Sequence, residues 1–166
     1  MSNYKYITFG TSELSKDRFM EVRNRKMFCK PWGGLWSSPY VPNEKYMSDW
    51  HRWCVCEDFR IDKLSDAVLF NIEKDANIYT IDSLDDLTNL LQEFSQEDEF
   101  GLNRFIDSRV LDYERLHKDL GLDGIYLTKN GEIETRWSNP TLYGWDVETL
   151  LVFNFDIITE QKHIKL

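Results

Sequence analysis

The sequence predicts one mixed α+β domain, and three observations carry that expectation. Its 166 residues are the usual length of a single compact unit, and 42% hydrophobic with 14% aromatic positions supply one core. Segments that alternate like strands are interleaved with segments that carry helix caps and apolar stripes, so both element types run along the whole chain. Neither an internal repeat nor a Gly/Ser or Pro tract divides it.

In chain order, Tyr4 to Thr8 alternates aromatic or β-branched residues with Lys5 and runs into Gly10-Thr11-Ser12, a strand ended by a tight turn. Ser15 offers an N-cap with Asp17 in the first turn, and Phe19, Met20 and Val22 supply apolar side chains, so a helix is expected to near Phe28. Lys30-Pro31-Trp32-Gly33-Gly34 breaks it, because proline lacks the amide hydrogen and paired glycines favour irregular backbone. Leu35-Trp36-Ser37-Ser38 then reads as a short strand stopped by Pro39. After a loop to Met47, Ser48 caps a helix with Trp50, Trp53 and Cys54 at i, i+3, i+4. Ala67 to Ile72 and Asn77 to Ile81 are strand-like in their alternation and β-branched content.

Ser83 and Asp86 resemble a capping box ahead of a helical stripe of Leu84, Leu87, Leu90, Leu91 and Phe94. An acidic connection, Ser95 to Phe100, follows, and Asp112 caps a short helix with Leu116 and Leu120 inward that stops at Gly121. Ile125 to Thr128 and Glu132 to Arg136 flank Asn130-Gly131 and read as a hairpin, since both central residues of a type I′ turn need positive φ. Glu148 to Phe153 is an almost continuous apolar run, which suits a strand buried on both faces.

With 20 Lys+Arg against 29 Asp+Glu the net charge is -9, which removes any general attraction to a phosphate backbone while leaving room for a local basic pocket. The N-terminal MSNYKYITFG lacks a signal-peptide core, and no run of about 18 apolar residues exists, so a cytoplasmic protein with no membrane partner is expected. Cys29, Cys54 and Cys56 form neither a disulfide framework nor a four-ligand zinc set, and His51, His117 and His163 lie far apart. Reduced thiols and no metal are expected.

Three segments place polar or aromatic groups beside bending backbone. In Phe9-Gly10-Thr11-Ser12 the glycine lets a planar ligand approach the main chain and two hydroxyls stand beside it; an ordinary strand-to-helix turn has the same composition. From Lys30 to Pro39, two tryptophans and two glycines sit within ten residues, which suits a stacking platform with Lys30 ready for a phosphate, or equally plain packing. In Trp145-Asp146-Val147-Glu148, two acids two positions apart on an extended chain project to one face. They are either surface acids or a pair able to steady an oxocarbenium-like centre.

Taken in order, these segments resemble the three-part signature of the ADP-ribosyltransferase family. ITFGTS is similar to its H-G-[TS] or R-G element, and GGLWSSP resembles both the G-[LI]-Y-[FS]-[AS] element of its His-Tyr-Glu branch and, through Ser37-Ser38, the Ser-Thr-Ser element of its Arg-Ser-Glu branch. VETLLVFNFDII resembles the family's Glu-bearing strand with Glu148 at the catalytic glutamate, and LGLDGIYL resembles the Y-D-G-[IV] stretch before it. Two positions depart from the pattern: Phe9 stands where the family carries His, and Trp36 where it carries Tyr.

The resemblance implies an ADP-ribosyltransferase-like split, mixed or antiparallel sheet with flanking helices, in which the first, second and Glu-bearing strands surround NAD. It implies transfer of ADP-ribose from NAD to a macromolecular acceptor, protein or nucleic acid, in the setting of a bacterial or phage toxin or defence effector. By the same resemblance Glu148 stabilises the ribose cation and Asp146 activates the acceptor; the Gly10 backbone clamps the carboxamide, Trp36 stacks on nicotinamide, Thr11, Ser12 or Lys30 contacts ribose or phosphates, and Phe9, Ser37 and Ser38 belong to the NAD-binding set. Phe9 in place of His implies the alternative, a catalytically inactive protein-binding module or inhibitor of the same fold.

Overall fold

The structure is a computed structural model that describes residues 3–26, 28–99 and 101–166. Seven strands form one mixed sheet: β1 Tyr6–Phe9, β2 Leu35–Pro39, β3 Asp66–Ile72, β4 Ile78–Ile81, β5 Gly124–Leu127, β6 Thr149–Val152 and β7 Ile158–Lys165. Their order is β4-β5-β6-β2-β1-β3-β7, with every neighbouring pair antiparallel except β4 and β5. Four helices accompany them: α1 Asp49–Cys56, α2 Leu84–Glu93, α3 Tyr113–Lys118 and α4 Lys129–Thr135.

Alternation along the strands divides the core. Trp36, Ile125, Leu127 and Leu151 point to the face that packs Leu87, Leu90 and Leu91 of α2 and Tyr113 and Leu116 of α3. Val68, Phe70, Leu150 and Val152 point to the other face, covered by Leu14 and the turn at Ile157 rather than by a helix. All four residues of β6 are buried, as the apolar run predicts.

The caps act where the sequence places them. Ser48, Ser83 and Asp112 accept the backbone N–H of His51, Asp86 and Arg115, satisfying donors that a helix start leaves open. The Asp86 carboxylate in turn accepts from Ser83 Oγ and from the amide of Asp82, one residue earlier than a capping box requires.

Three expectations are corrected, the first being Leu120, which lies past the end of α3 and is 41% exposed where an inward position was expected. The segment after Ser15 forms only a 3-10 turn, Lys16–Arg18, and then runs extended. Arg23 bridges Trp32 antiparallel and Gly34 N–H donates to Met20 O at 2.9 Å, so long-range pairing with the Pro-Trp-Gly-Gly segment replaces the helix. Gly33 makes the approach possible: at φ +67°, a Cβ there would sit 2.1 Å from Glu21 O. Met27, inside the expected helix, and Phe100, at the end of the acidic connection, lie outside the described residues, as do Met1 and Ser2 of the N-terminal segment.

The expected hairpin at Asn130-Gly131 is instead α4. Thr128 caps it by accepting the Gly131 N–H, and Gly131 is needed because the helix start lies against β4, where a Cβ would meet Ile81 O at 2.1 Å. Strand β7 has apolar residues only near its ends, Ile158 and Ile164, and so carries no alternation in the sequence.

Candidate functional site

The sheet opens at its centre. β1 and β2 are paired only through Tyr6 with Pro39 and Ile7 with Ser38. Beyond that, Thr8 and Phe9 continue on β3 while Leu35, Trp36 and Ser37 continue on β6, so the two halves of the sheet part along one seam. A cleft of about 480 Å³ lies in this opening, within the usual range for small-molecule and cofactor sites.

Its walls come from several segments, with Met20, Arg25, Phe59 and Arg60 beside the five that follow. Thr8 and Phe9 end β1, Trp36 to Ser38 lie on β2, and Lys30 to Gly34 form the loop before β2. Trp50 and Trp53 come from α1, and Trp145 to Val147 from the approach to β6. Trp36 is held edge-on by the buried Trp145 ring at 4.8 Å, and Trp145 Nε1 donates to Cys29 O at 2.9 Å, so the platform is fixed from behind. Lys30 Nζ stands 5.4 Å above the Trp36 ring.

The cleft reverses the charge of the molecule. Among the described residues its charged lining is Arg25, Lys30 and Arg60 against Asp146 alone, on a chain of net charge -9. A hollow with cations and flat apolar walls selects for an anion that carries rings. Arg25 is held between Phe28 and Trp32, 4.3 Å from each ring centroid, which keeps its guanidinium in place without a carboxylate partner in those contacts.

Asp146 is anchored firmly. Arg136 donates to its backbone oxygen at 3.0 Å and to its Oδ1 at 3.2 Å, while Lys30 Nζ lies 3.4 Å from Oδ2. Glu148 behaves differently from its predicted partner. It accepts a hydrogen bond from the Tyr126 hydroxyl and lines a separate hollow of about 250 Å³, which shares Trp53, Asp146 and Val147 with the main cleft. Both acids line that smaller hollow, but their carboxylates are held by different partners, Asp146 by Arg136 and Glu148 by Tyr126 of β5, and of the two only Asp146 lines the main cleft. Burial and the Glu148 carboxylate both push the Tyr126 phenol well above its ordinary range, so it remains protonated and a donor.

Of the other predicted site residues, Phe9, Lys30, Trp36, Ser37 and Ser38 do line the cleft. The hydroxyls of Ser37 and Ser38 are already donated to Leu150 O and Glu148 O, joining β2 to β6. Gly10, Thr11 and Ser12 are not in the lining. The Gly10 amide donates to Asp66 O at 2.8 Å, Thr11 Oγ1 donates to Glu13 O, and Ser12 is exposed. These contacts are those of a plain turn, which leads into the 3-10 turn Lys16–Arg18 and not into a helix.

The sequence reading missed Arg25, Trp50, Trp53, Phe59, Arg60 and Arg136. Trp50 and Trp53 sit where a helix core face was expected, yet Cys54 alone among the described residues of α1 is buried. The available signal was that a helix of this length carries more aromatic surface than one small buried residue can anchor. No protein-family model, curated protein or solved structure matches the chain.

Proposed function

We propose that this cleft binds NAD and that the protein transfers ADP-ribose from it to a macromolecular acceptor. The observation that carries the reading is the adjacency of β6, β2 and β1: the three segments singled out in the sequence lie side by side, and the seam opens between two of them. Trp36 offers a surface for the nicotinamide ring, and Lys30, Arg25 and Arg60 offer cations for the diphosphate.

In the transfer, the bond between nicotinamide and ribose C1′ breaks with its electron pair leaving on nicotinamide. The acceptor nucleophile then bonds to C1′ and gives up its proton to water. Positive charge develops on the ribose, so a carboxylate fixed beforehand stabilises the transition state more than the bound substrate. Asp146 is the acid that already lines the cleft, and Arg136 holds it there. Lys30 turns from Asp146 towards the incoming phosphates, while Glu148 reaches the ribose only by giving up its Tyr126 bond.

Two observations favour a second reading, a module that binds without chemistry. Phe9 lies in the cleft where the resembling family carries His, and Glu148 is engaged outside it. Nicotinamide release by the wild type, Asp146→Asn and Glu148→Gln, with and without RNA or cell protein as acceptor, separates the two. Transfer requires release that falls in a variant of at least one acid, whereas binding of NAD with no release by the folded wild type selects the module.

A further inference from the structure

The cleft contains two ring platforms, not one. One is Trp36, which lies under Lys30. The second is formed by Trp50 and Trp53 of α1, which stack on each other at 5.1 Å and 12°, with Phe59 edge-on to both, at 6.0 and 5.4 Å. Large aromatic side chains normally disappear into a core or carry a binding surface. Here both indoles stay half-exposed, Phe59 is 39% exposed, and all three line the cleft.

A cation accompanies this second platform as well. Arg60 takes the left-handed backbone conformation, φ +49°, which is uncommon for a residue with a side chain, and its guanidinium lies 5.3 Å from the Phe59 ring centre. Two flat platforms, each with its own cation, match a ligand of two rings joined by an anionic linker. Resting on the NAD reading, we propose that Trp50, Trp53 and Phe59, with Arg60 at their rim, form a second ring-binding subsite. It holds the purine base of the dinucleotide, and Trp36 holds the other ring.

The test uses three probes that divide the ligand: NAD, ADP-ribose, which keeps the purine and diphosphate, and nicotinamide mononucleotide, which lacks the purine. Calorimetric titrations would compare the wild type with Trp53→Ala, Phe59→Ala and the conservative Trp53→Phe, with circular dichroism confirming the fold of each. Loss of one base–aromatic contact should weaken ADP-ribose and NAD by roughly tenfold or more, leave the mononucleotide unchanged, and be largely recovered by Trp53→Phe.

Equal weakening of all three probes would make this face a structural wall and overturn the subsite. So would unchanged ADP-ribose affinity in both alanine variants; in either case the NAD reading survives. A wild type that binds none of the three probes overturns the NAD reading and the subsite with it.

Discussion

Replacing Gly131 by alanine sets two effects of opposite sign against each other. In an exposed helix, Gly→Ala stabilises by about 1 kcal/mol, because alanine loses less backbone entropy. In α4 the new Cβ would meet Ile81 O at 2.1 Å, Ile81 C at 2.9 Å and Leu127 Cδ1 at 3.0 Å. Leu127 can rotate slightly, but Ile81 O belongs to the β4 backbone and cannot swing aside. Overpacking of this kind costs about 1–3 kcal/mol, and contact with backbone puts the site at the upper end, so a net loss of about 2 kcal/mol is expected. For a chain of this length that lowers Tm by roughly 4–8 °C. Thermal unfolding followed by circular dichroism reads it, and an unchanged or raised Tm would refute the packing of α4 against β4.

Three further outcomes follow from the geometry. Ser83→Ala removes the acceptor for the Asp86 amide and should cost about 1 kcal/mol, measurable as a lower urea midpoint at unchanged slope. Arg136→Ala strips Asp146 of two hydrogen bonds, and the half-buried groups left behind should cost about 1–3 kcal/mol in the same assay. His51 accepts the Met47 N–H on Nδ1, and burial lowers its pKa below the ordinary 6.5. Because the unfolded chain takes up that proton first, the contribution is complete above about pH 6.5 and is lost as pH falls towards the folded value. His51→Gln should therefore flatten the dependence of the denaturation midpoint on pH between the wild type's neutral and acidic limits, and an unaltered profile would exclude His51 as its source.

Where local chemistry and tertiary packing agree, the sequence is readable. Ser48, Ser83 and Asp112 begin helices because their side chains satisfy nearby amides, and β6 is legible because all four residues are buried. Ser15 offers the same local signal and loses, since Gly33 admits the Glu21 backbone and Arg23 can then pair with Trp32. Asn130-Gly131 misleads for a related reason: the glycine answers a close approach to β4, not a positive φ.

The candidate site is legible to the same degree. Trp36, Lys30 and Asp146 converge because β2, its preceding loop and the approach to β6 meet at the seam. Periodicity gives no account of the different partners, Arg136 and Tyr126, that hold Asp146 and Glu148. Nor does it show that α1 faces a cleft, because a half-buried indole at i, i+3 has the spacing of a core residue.

The most direct test of NAD binding at the seam is a proton–nitrogen correlation spectrum of the six tryptophan indoles with and without NAD. Five of the six, among them Trp36, Trp50 and Trp53, line the cleft, whereas Trp137 is 77% exposed and lies outside its lining. NAD should shift the first three resonances and leave that of Trp137 in place. No shift at saturating NAD, or a shift confined to Trp137, would contradict binding at the seam.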